Sequence, residues 1–134
     1  MKKIFIILLL FFAILQINSF AEPISKSPTE VQKISAPILD AIVESYNDSN
    51  YDRMGVFFSE KMFEEFPQID FISARKSLIA LYGTIQDLAY IGFLTQLNNS
   101  IVLYKATCEH SDMLIKVVLS QEGSNYKIVG LWFG

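Results

Sequence analysis

Cysteine and histidine are scarce in this sequence, with one of each in 134 residues. A single cysteine cannot form an intrachain disulfide, and one Cys with one His leaves a zinc or other soft-metal site without its usual ligands. We therefore expect neither a metal nor a cofactor. Cys108 lies on the apolar side of an alternating pattern, which favours a small buried hydrophobic residue over a reactive thiol or an intermolecular bridge.

Basic residues are also few, because 11 Lys and Arg stand against 14 Asp and Glu, a formal charge of −3. Proteins that bind nucleic acids depend on clustered Lys and Arg to neutralise phosphates. Nucleic acid is therefore not an expected partner. The same acidity argues against adhesion to anionic lipid, which requires a basic helix face.

The longest apolar run is short and stands near the beginning of the chain. Lys2 and Lys3 precede it, it extends from Ile4 to Leu15, and Ser19 and Ala21 supply small residues after it. This arrangement is typical of a secretory signal peptide over residues 1–21, cleaved after Ala21. About 20 residues would be needed to span a bilayer. We expect an exported protein of residues 22–134, periplasmic or extracellular, with a formal charge of −5 and no stable membrane anchor.

The first half of the expected mature chain shows helical spacing. Residues 22–34 are predicted to be a flexible N-terminus, followed by one domain over 35–134. A first helix is predicted over about 36–48, with Ser35 as its N-cap and Pro37 in its first turn. Two short helical pieces should follow over 51–58 and 59–66, the second capped by Ser59. A further helix is predicted over 70–82, with Gly83 as its C-cap.

After Gly83 the apolar period changes from helical to alternating. Four runs follow, Ile85 to Leu97, Ser100 to His110, Met113 to Gln121 and Tyr126 to Phe133, joined by hairpin-length segments of turn-forming residues. This pattern predicts a four-stranded antiparallel meander.

The loop lengths also predict a strand register and two sheet faces. With two-residue turns at 98–99 and 111–112 and a four-residue turn at 122–125, Phe93 should face Tyr104, Tyr104 should face Leu119, and Leu119 should face Ile128. The face expected to form the core contains Ala89, Ile91, Phe93, Val102, Tyr104, Ala106, Cys108, Ile115, Val117, Leu119, Ile128 and Trp132. The opposite face is too apolar for a monomer's surface, which predicts a homodimer formed sheet to sheet, with Leu103, Val118 and Leu131 near its centre.

Several segments carry a resemblance to a known superfamily. They are the helix end at 47–52 (NDSNYD), the Phe57–Phe58 pair before Ser59, the LYG of 81–83, and the closing YKIVGLWF of 126–133. On these segments the chain resembles the NTF2-like (cystatin-like) superfamily, and within it the small exported domains of the DUF3887 type. The resemblance implies three N-terminal helices packed on a curved four-stranded antiparallel β-meander, which together form a cone around a pocket. Members use this fold as isomerases, dehydratases, hydrolases, ligand-binding proteins or assembly modules.

Two hypotheses for function follow. The predicted register sets Asp87 opposite His110 on the core face, where a carboxylate and an imidazole could act as an acid–base pair at the mouth of the cone. The alternative is a noncatalytic module that binds a small apolar ligand or an exported protein. Its candidate pocket lining is the aromatic set Tyr46, Phe57, Phe71, Phe93, Tyr104 and Trp132, although such residues more often form a core. The lack of a nucleophile elbow, a metal cluster or a phosphate loop favours the binding module.

Three other charged residues are expected to have structural or solvent-exposed positions. Arg53 should pair with Asp48 or Asp52 on the surface. Arg75 and its neighbour Lys76 should face solvent, since they lie between the buried positions of the last helix.

Overall fold

The computed structural model describes residues 27–134, which form an α+β fold with an open antiparallel sheet. The predicted leader and residues 22–26 lie outside the described residues. The helices are α1 (Pro28–Asp48), α2 (Tyr51–Gly55), α3 (Glu60–Glu65) and α4 (Gln68–Tyr82). The strands are β1 (Ile85–Gln96), β2 (Asn99–Cys108), β3 (Asp112–Glu122) and β4 (Asn125–Phe133), and they pair in the order β1-β2-β3-β4.

Helix α1 begins eight residues before the expected start. Ser27 is its N-cap and accepts a hydrogen bond from the Glu30 amide, and Pro28 occupies the first turn. The predicted cap, Ser35, is instead buried inside the helix, and Pro37 is an interior proline. The sequence contains two Ser and Pro pairs that can open a helix, and the structure uses the earlier one. Residues 28–34, expected to be flexible, are therefore helical.

The remaining helices follow the predicted segments. Residues 27–134 contain four helices in total, whereas the resemblance implied three, because the two short pieces are separate helices. Ser59 caps α3 through the Met62 amide, as predicted. Gly83 ends α4 with a φ of 77°, also as predicted. A positive φ is available to glycine at little cost, so this residue suits the turn from helix into sheet.

The strand bounds agree with the predicted runs to within two residues, but two of the three expected cross-strand pairs are wrong. Leu119 pairs with Ile128 as expected. Tyr104, however, pairs with Tyr90 and Ile115. The β1–β2 turn is formed by Leu97 and Asn98, both with positive φ, one residue earlier than expected. The β2–β3 connection is also longer than two residues.

Two bulges change which side chains face the helices. The register shifts in β1 between Tyr90 and Gly92, and in β4 opposite Val118 and Leu119. Each adds one residue to one strand, and one residue is enough to turn the following side chains to the other face.

Several side chains consequently differ from the predicted face assignment. Ala89 and Ile91 are exposed rather than buried, and Trp132 is 52% exposed on the side away from the helices. Four residues expected on the opposite face instead pack against the core, namely Leu88, Tyr90, Leu131 and Phe133. Leu131 therefore cannot lie at the centre of a contact on the opposite face.

The core fills the space between α1 and the inner face of the sheet. Its largest fully buried side chains include Tyr46, Leu39, Ile42, Met54, Met113, Ile115, Leu119 and Ile128. Cys108 is buried, as predicted, and burial raises the pKa of its thiol. None of the helices in residues 27–134 has the length and apolar character required to cross a membrane.

Candidate functional site

Asp87 and His110, the predicted acid–base pair, are not opposite each other. Asp87 pairs with Thr107, and His110 lies in the β2–β3 connection, where its amide donates to the Tyr82 carbonyl. Both residues are exposed, and within residues 27–134 no hydrogen bond or ion pair joins their side chains. A further register shift in β1, between Ile85 and Asp87, separates the observed pairing from the predicted one. The acid–base hypothesis thereby loses the register on which it rested.

The six aromatic side chains proposed as a pocket lining occupy different parts of the structure. Tyr46, Phe71 and Tyr104 are buried in the core, and Phe93 packs against it half-buried. Phe57 is half-buried and reaches a surface groove beside α1. Because Trp132 lies on the opposite face of the sheet from Tyr104, the six do not line a single pocket.

A group of hydroxyls lies within the core, between α1 and the sheet. Ser35 Oγ and Tyr104 OH share a hydrogen bond of 2.8 Å, and the Tyr90 ring meets the Tyr104 ring edge-on at 5.4 Å. Burial raises the pKa of Tyr104, against the opposing effect of the Ser35 hydrogen bond. The Tyr90 hydroxyl is buried without a hydrogen-bond partner in the described residues. The hydrogen bond between Ser35 and Tyr104 fixes α1 against the sheet. A neutral phenol provides no acid–base chemistry near pH 7.

A second polar cluster joins the end of α1 to α4 and to β1. Arg75 donates from Nε to the Tyr46 carbonyl (2.6 Å) and from Nη2 to the Asn47 carbonyl (3.1 Å). The Asn47 side chain also bonds both backbone groups of Ile85, at 2.9 and 2.8 Å. Arg75 is half-buried, so its predicted solvent exposure is wrong. The last carbonyls of a helix have no partner within it, but nothing in the sequence around Arg75 indicated which helix it would cap.

The same cluster continues into the β2–β3 connection. The Tyr46 hydroxyl donates to the Gly83 carbonyl at 2.8 Å, and burial is the main cause that raises the pKa of Tyr46 to about 12. Glu109 Oε1 accepts from both the amide and the hydroxyl of Thr84, each at 2.7 Å. These two hydrogen bonds hold the pKa of Glu109 below its ordinary value. All of these contacts are structural, since each one ties a side chain of one element to a neighbouring element.

The most distinctive surface is the side of the sheet away from the helices, here called the outer sheet face. Its apolar residues are Ala89, Ile91, Leu94, Ile101, Leu103, Leu114, Val118 and Trp132. One row across the strands comprises Leu94, Ile101, Val118 and Gly130 and carries no charge. Monomeric proteins rarely expose a contiguous apolar surface of this kind.

The indole of Trp132 lies over Gly130 on this face. A Cβ at Gly130 would come within 2.7 Å of the Trp132 ring atoms Cη2 and Cζ3, so the indole covers the glycine. Lys116 Nζ stands 4.3 Å from the centre of the indole, a cation–π contact. Lys105 is the other lysine of the central rows, paired across the strands with Ala89 and Leu114. The surface thus combines an apolar centre with two ammonium groups, whose stems can lie along it.

Arg53, expected to pair with Asp48 or Asp52, instead contacts Glu44 of α1 at 3.4 Å, with both side chains largely exposed. An exposed pair of this kind contributes little to stability.

Comparison with known proteins does not assign this surface a role. No known protein family and no curated protein matches the sequence. Among solved structures the chain is similar to Bd1075 of Bdellovibrio bacteriovorus, at 13% identity and a TM-score of 0.45 over 74% of this chain. The match spans 38% of the Bdellovibrio protein.

Proposed function

We propose that this protein is an exported, noncatalytic binding module with an NTF2-like cone fold, and that it self-associates as a homodimer through the outer sheet face. The observation that carries this proposal is the exposed apolar surface around Val118 and Trp132. A core filled with side chains supports a binding role for the outside of the fold over chemistry inside it.

The register of the outer sheet face is compatible with a twofold contact. A twofold axis that crosses the strands at the level of Val118 would set the uncharged row containing Ile101 and Gly130 against its own copy. Lys116 lies two residues from Val118 along β3, so it would face Ser120 of the second copy rather than another lysine. This arrangement buries apolar side chains without opposing like charges, which is what a self-complementary interface requires.

The antiparallel sheet and the helices on one of its faces support the NTF2-like cone as the finer fold. The centre of the proposed interface comprises Leu103, Val118 and Trp132. Trp132 takes the position first expected for Leu131, because the β4 bulge turns Leu131 toward the core and Trp132 outward. Aromatic residues contribute strongly to interface cores.

The test is the molar mass of the purified protein by light scattering at tens of micromolar. We expect twice the monomer mass for the wild type and the monomer mass for Val118→Lys, which would bury a charge in the contact. The matched control is Ile69→Lys, which adds the same charge at an exposed apolar position of α4 and should leave the dimer intact. A monomeric wild type would contradict the proposal, as would equal loss of the dimer in both variants.

A further inference from the structure

A groove runs along the exposed side of α1, away from the outer sheet face. It consists of two adjoining depressions of about 420 and 510 Å³ that share Pro37, Val56 and Phe57. On the α1 side the lining continues from Lys33 to Glu44. The eleven residue-to-residue steps from Lys33 to Glu44 correspond to about 16 Å of helix, which is the length of about five residues of extended peptide.

The middle of the groove is apolar. Val56 is 67% exposed and Pro37 is exposed as well, while Phe57 is half-buried between them and the core. An exposed apolar residue alone carries no meaning. Here, however, three apolar side chains from two elements line the same concave surface, which suits one large apolar side chain of a ligand.

The two ends of the groove carry opposite charge. At one end are Asp40 and Asp52, together with Glu44, whose charge is balanced by its contact with Arg53. At the other end is Lys33, joined by Lys127. Lys127 Nζ donates to the Val56 carbonyl, which holds that ammonium beside the apolar middle. A ligand must therefore be dipolar, with its anionic group toward Lys33 and its cationic group toward Asp40.

Pro37 leaves one carbonyl of α1 beside the groove without its helical donor. Proline has no N–H, so the carbonyl of Lys33, four residues earlier in α1, lacks the donor that an uninterrupted helix would supply. Lys33 and Pro37 both line the groove. An N–H from a bound peptide backbone can donate to this carbonyl.

We propose that this groove binds an extended peptide segment of a partner protein, with an acidic residue, a large apolar residue and a basic residue at alternate positions. Alternate side chains of an extended chain point the same way, and the first and fifth residues are about 13 Å apart. This spacing falls within the interval from Lys33 to the Asp40 and Glu44 end. The site is separate from the outer sheet face, so failure of either proposal leaves the other standing.

The test uses two synthetic peptides and NMR titration of the backbone amides. The dipolar peptide is acetyl-Ser-Glu-Ser-Phe-Ser-Arg-Ser-amide, and in the second peptide Glu replaces Arg. We expect shifts at Val56, Phe57 and Ala41, and a preference of about fivefold for the dipolar peptide, since an exposed ion pair contributes up to about 1 kcal/mol.

Protein variants separate recognition at the groove from general electrostatics. Asp40→Lys should abolish most of the preference, because the new lysine offsets the charge of Asp52 at that end of the groove. Glu64→Lys makes the same charge change at an exposed helical position outside the groove lining and should preserve the wild-type preference. Asp52→Lys repeats the test should Asp40→Lys fail to give a native circular dichroism spectrum. Equal affinity for both peptides, no shifts at the groove, or the same effect from Glu64→Lys as from Asp40→Lys would overturn the proposal.

Discussion

Replacing Arg75 with alanine should lower the free energy of unfolding by much more than expected for the solvent-exposed residue that the sequence predicted. Its guanidinium supplies hydrogen bonds to the carbonyls of Tyr46 and Asn47, which lie in the last turn of α1 and have no partner within the helix. It also joins α4 to α1, and α4 itself has one buried residue, Phe71. The loss of Arg75 therefore weakens both the end of one helix and the attachment of another.

The magnitude can be worked from these two contacts. A hydrogen bond that involves a charged group contributes about 1.5–3 kcal/mol when buried, and interaction of a cation with a helix C-terminus adds about 0.3–1 kcal/mol. Arg75 is half-buried, and water can solvate the freed carbonyls, so we expect a total loss of about 2 kcal/mol for Arg75→Ala. For a domain of this size that corresponds to a fall in Tm of roughly 8 °C.

The assay is urea unfolding followed by circular dichroism, with Lys76→Ala as the matched control. Lys76 is adjacent on α4 and exposed, so its replacement should change the free energy of unfolding by less than about 0.5 kcal/mol. Arg75→Lys retains the charge but not the planar pair of donors, and should fall between the two. If Arg75→Ala and Lys76→Ala destabilise the protein equally, the capping argument is wrong.

Glu109→Gln should make unfolding by acid less steep below pH 4.5, the ordinary pKa of this group. Because the hydrogen bonds from Thr84 depress the folded-state pKa, the carboxylate stabilises the fold above that pH and loses this contribution as the pH falls through the folded-state value. Gly130→Ala should displace the indole of Trp132, with a change in tryptophan emission and a retained circular dichroism spectrum. Trp132 is the only tryptophan in the sequence. Unchanged emission would therefore contradict the close contact. Intact-mass measurement of protein recovered outside the cytoplasm should show cleavage after Ala21, whereas an N-terminus at Met1 would refute export.

The elements that sequence predicted well are those fixed by local chemistry. Ser59 caps α3 and Gly83 ends α4 because the backbone at those positions needs a side-chain acceptor and a positive φ, respectively. The four strands follow from alternation interrupted by turn residues. Such signals depend on neighbours within a few residues, so they can be read without the tertiary structure.

Ser35 shows where local signals leave a choice open. The pair of Ser35 and Pro37 resembles a helix start, but so does Ser27 with Pro28. The choice depends on Ser35 reaching Tyr104 in β2, 69 residues later in the chain. A contact of that sequence separation has no local signature. The same holds for Arg75, whose partners lie on α1.

The bulge in β4 has the largest effect on the proposed interface. From Ile128 to Phe133 the sequence is apolar at nearly every position, so hydrophobic alternation does not decide which side chains face the helices. The structure places Trp132 outside, where its ring lies over Gly130. A residue with a Cβ at position 130 would occupy the space of the indole, so glycine at that position permits the outward tryptophan. The bulge therefore removes Leu131 from the outer sheet face and substitutes Trp132, which lies opposite Lys116 of β3 and brings an aromatic ring to the proposed interface.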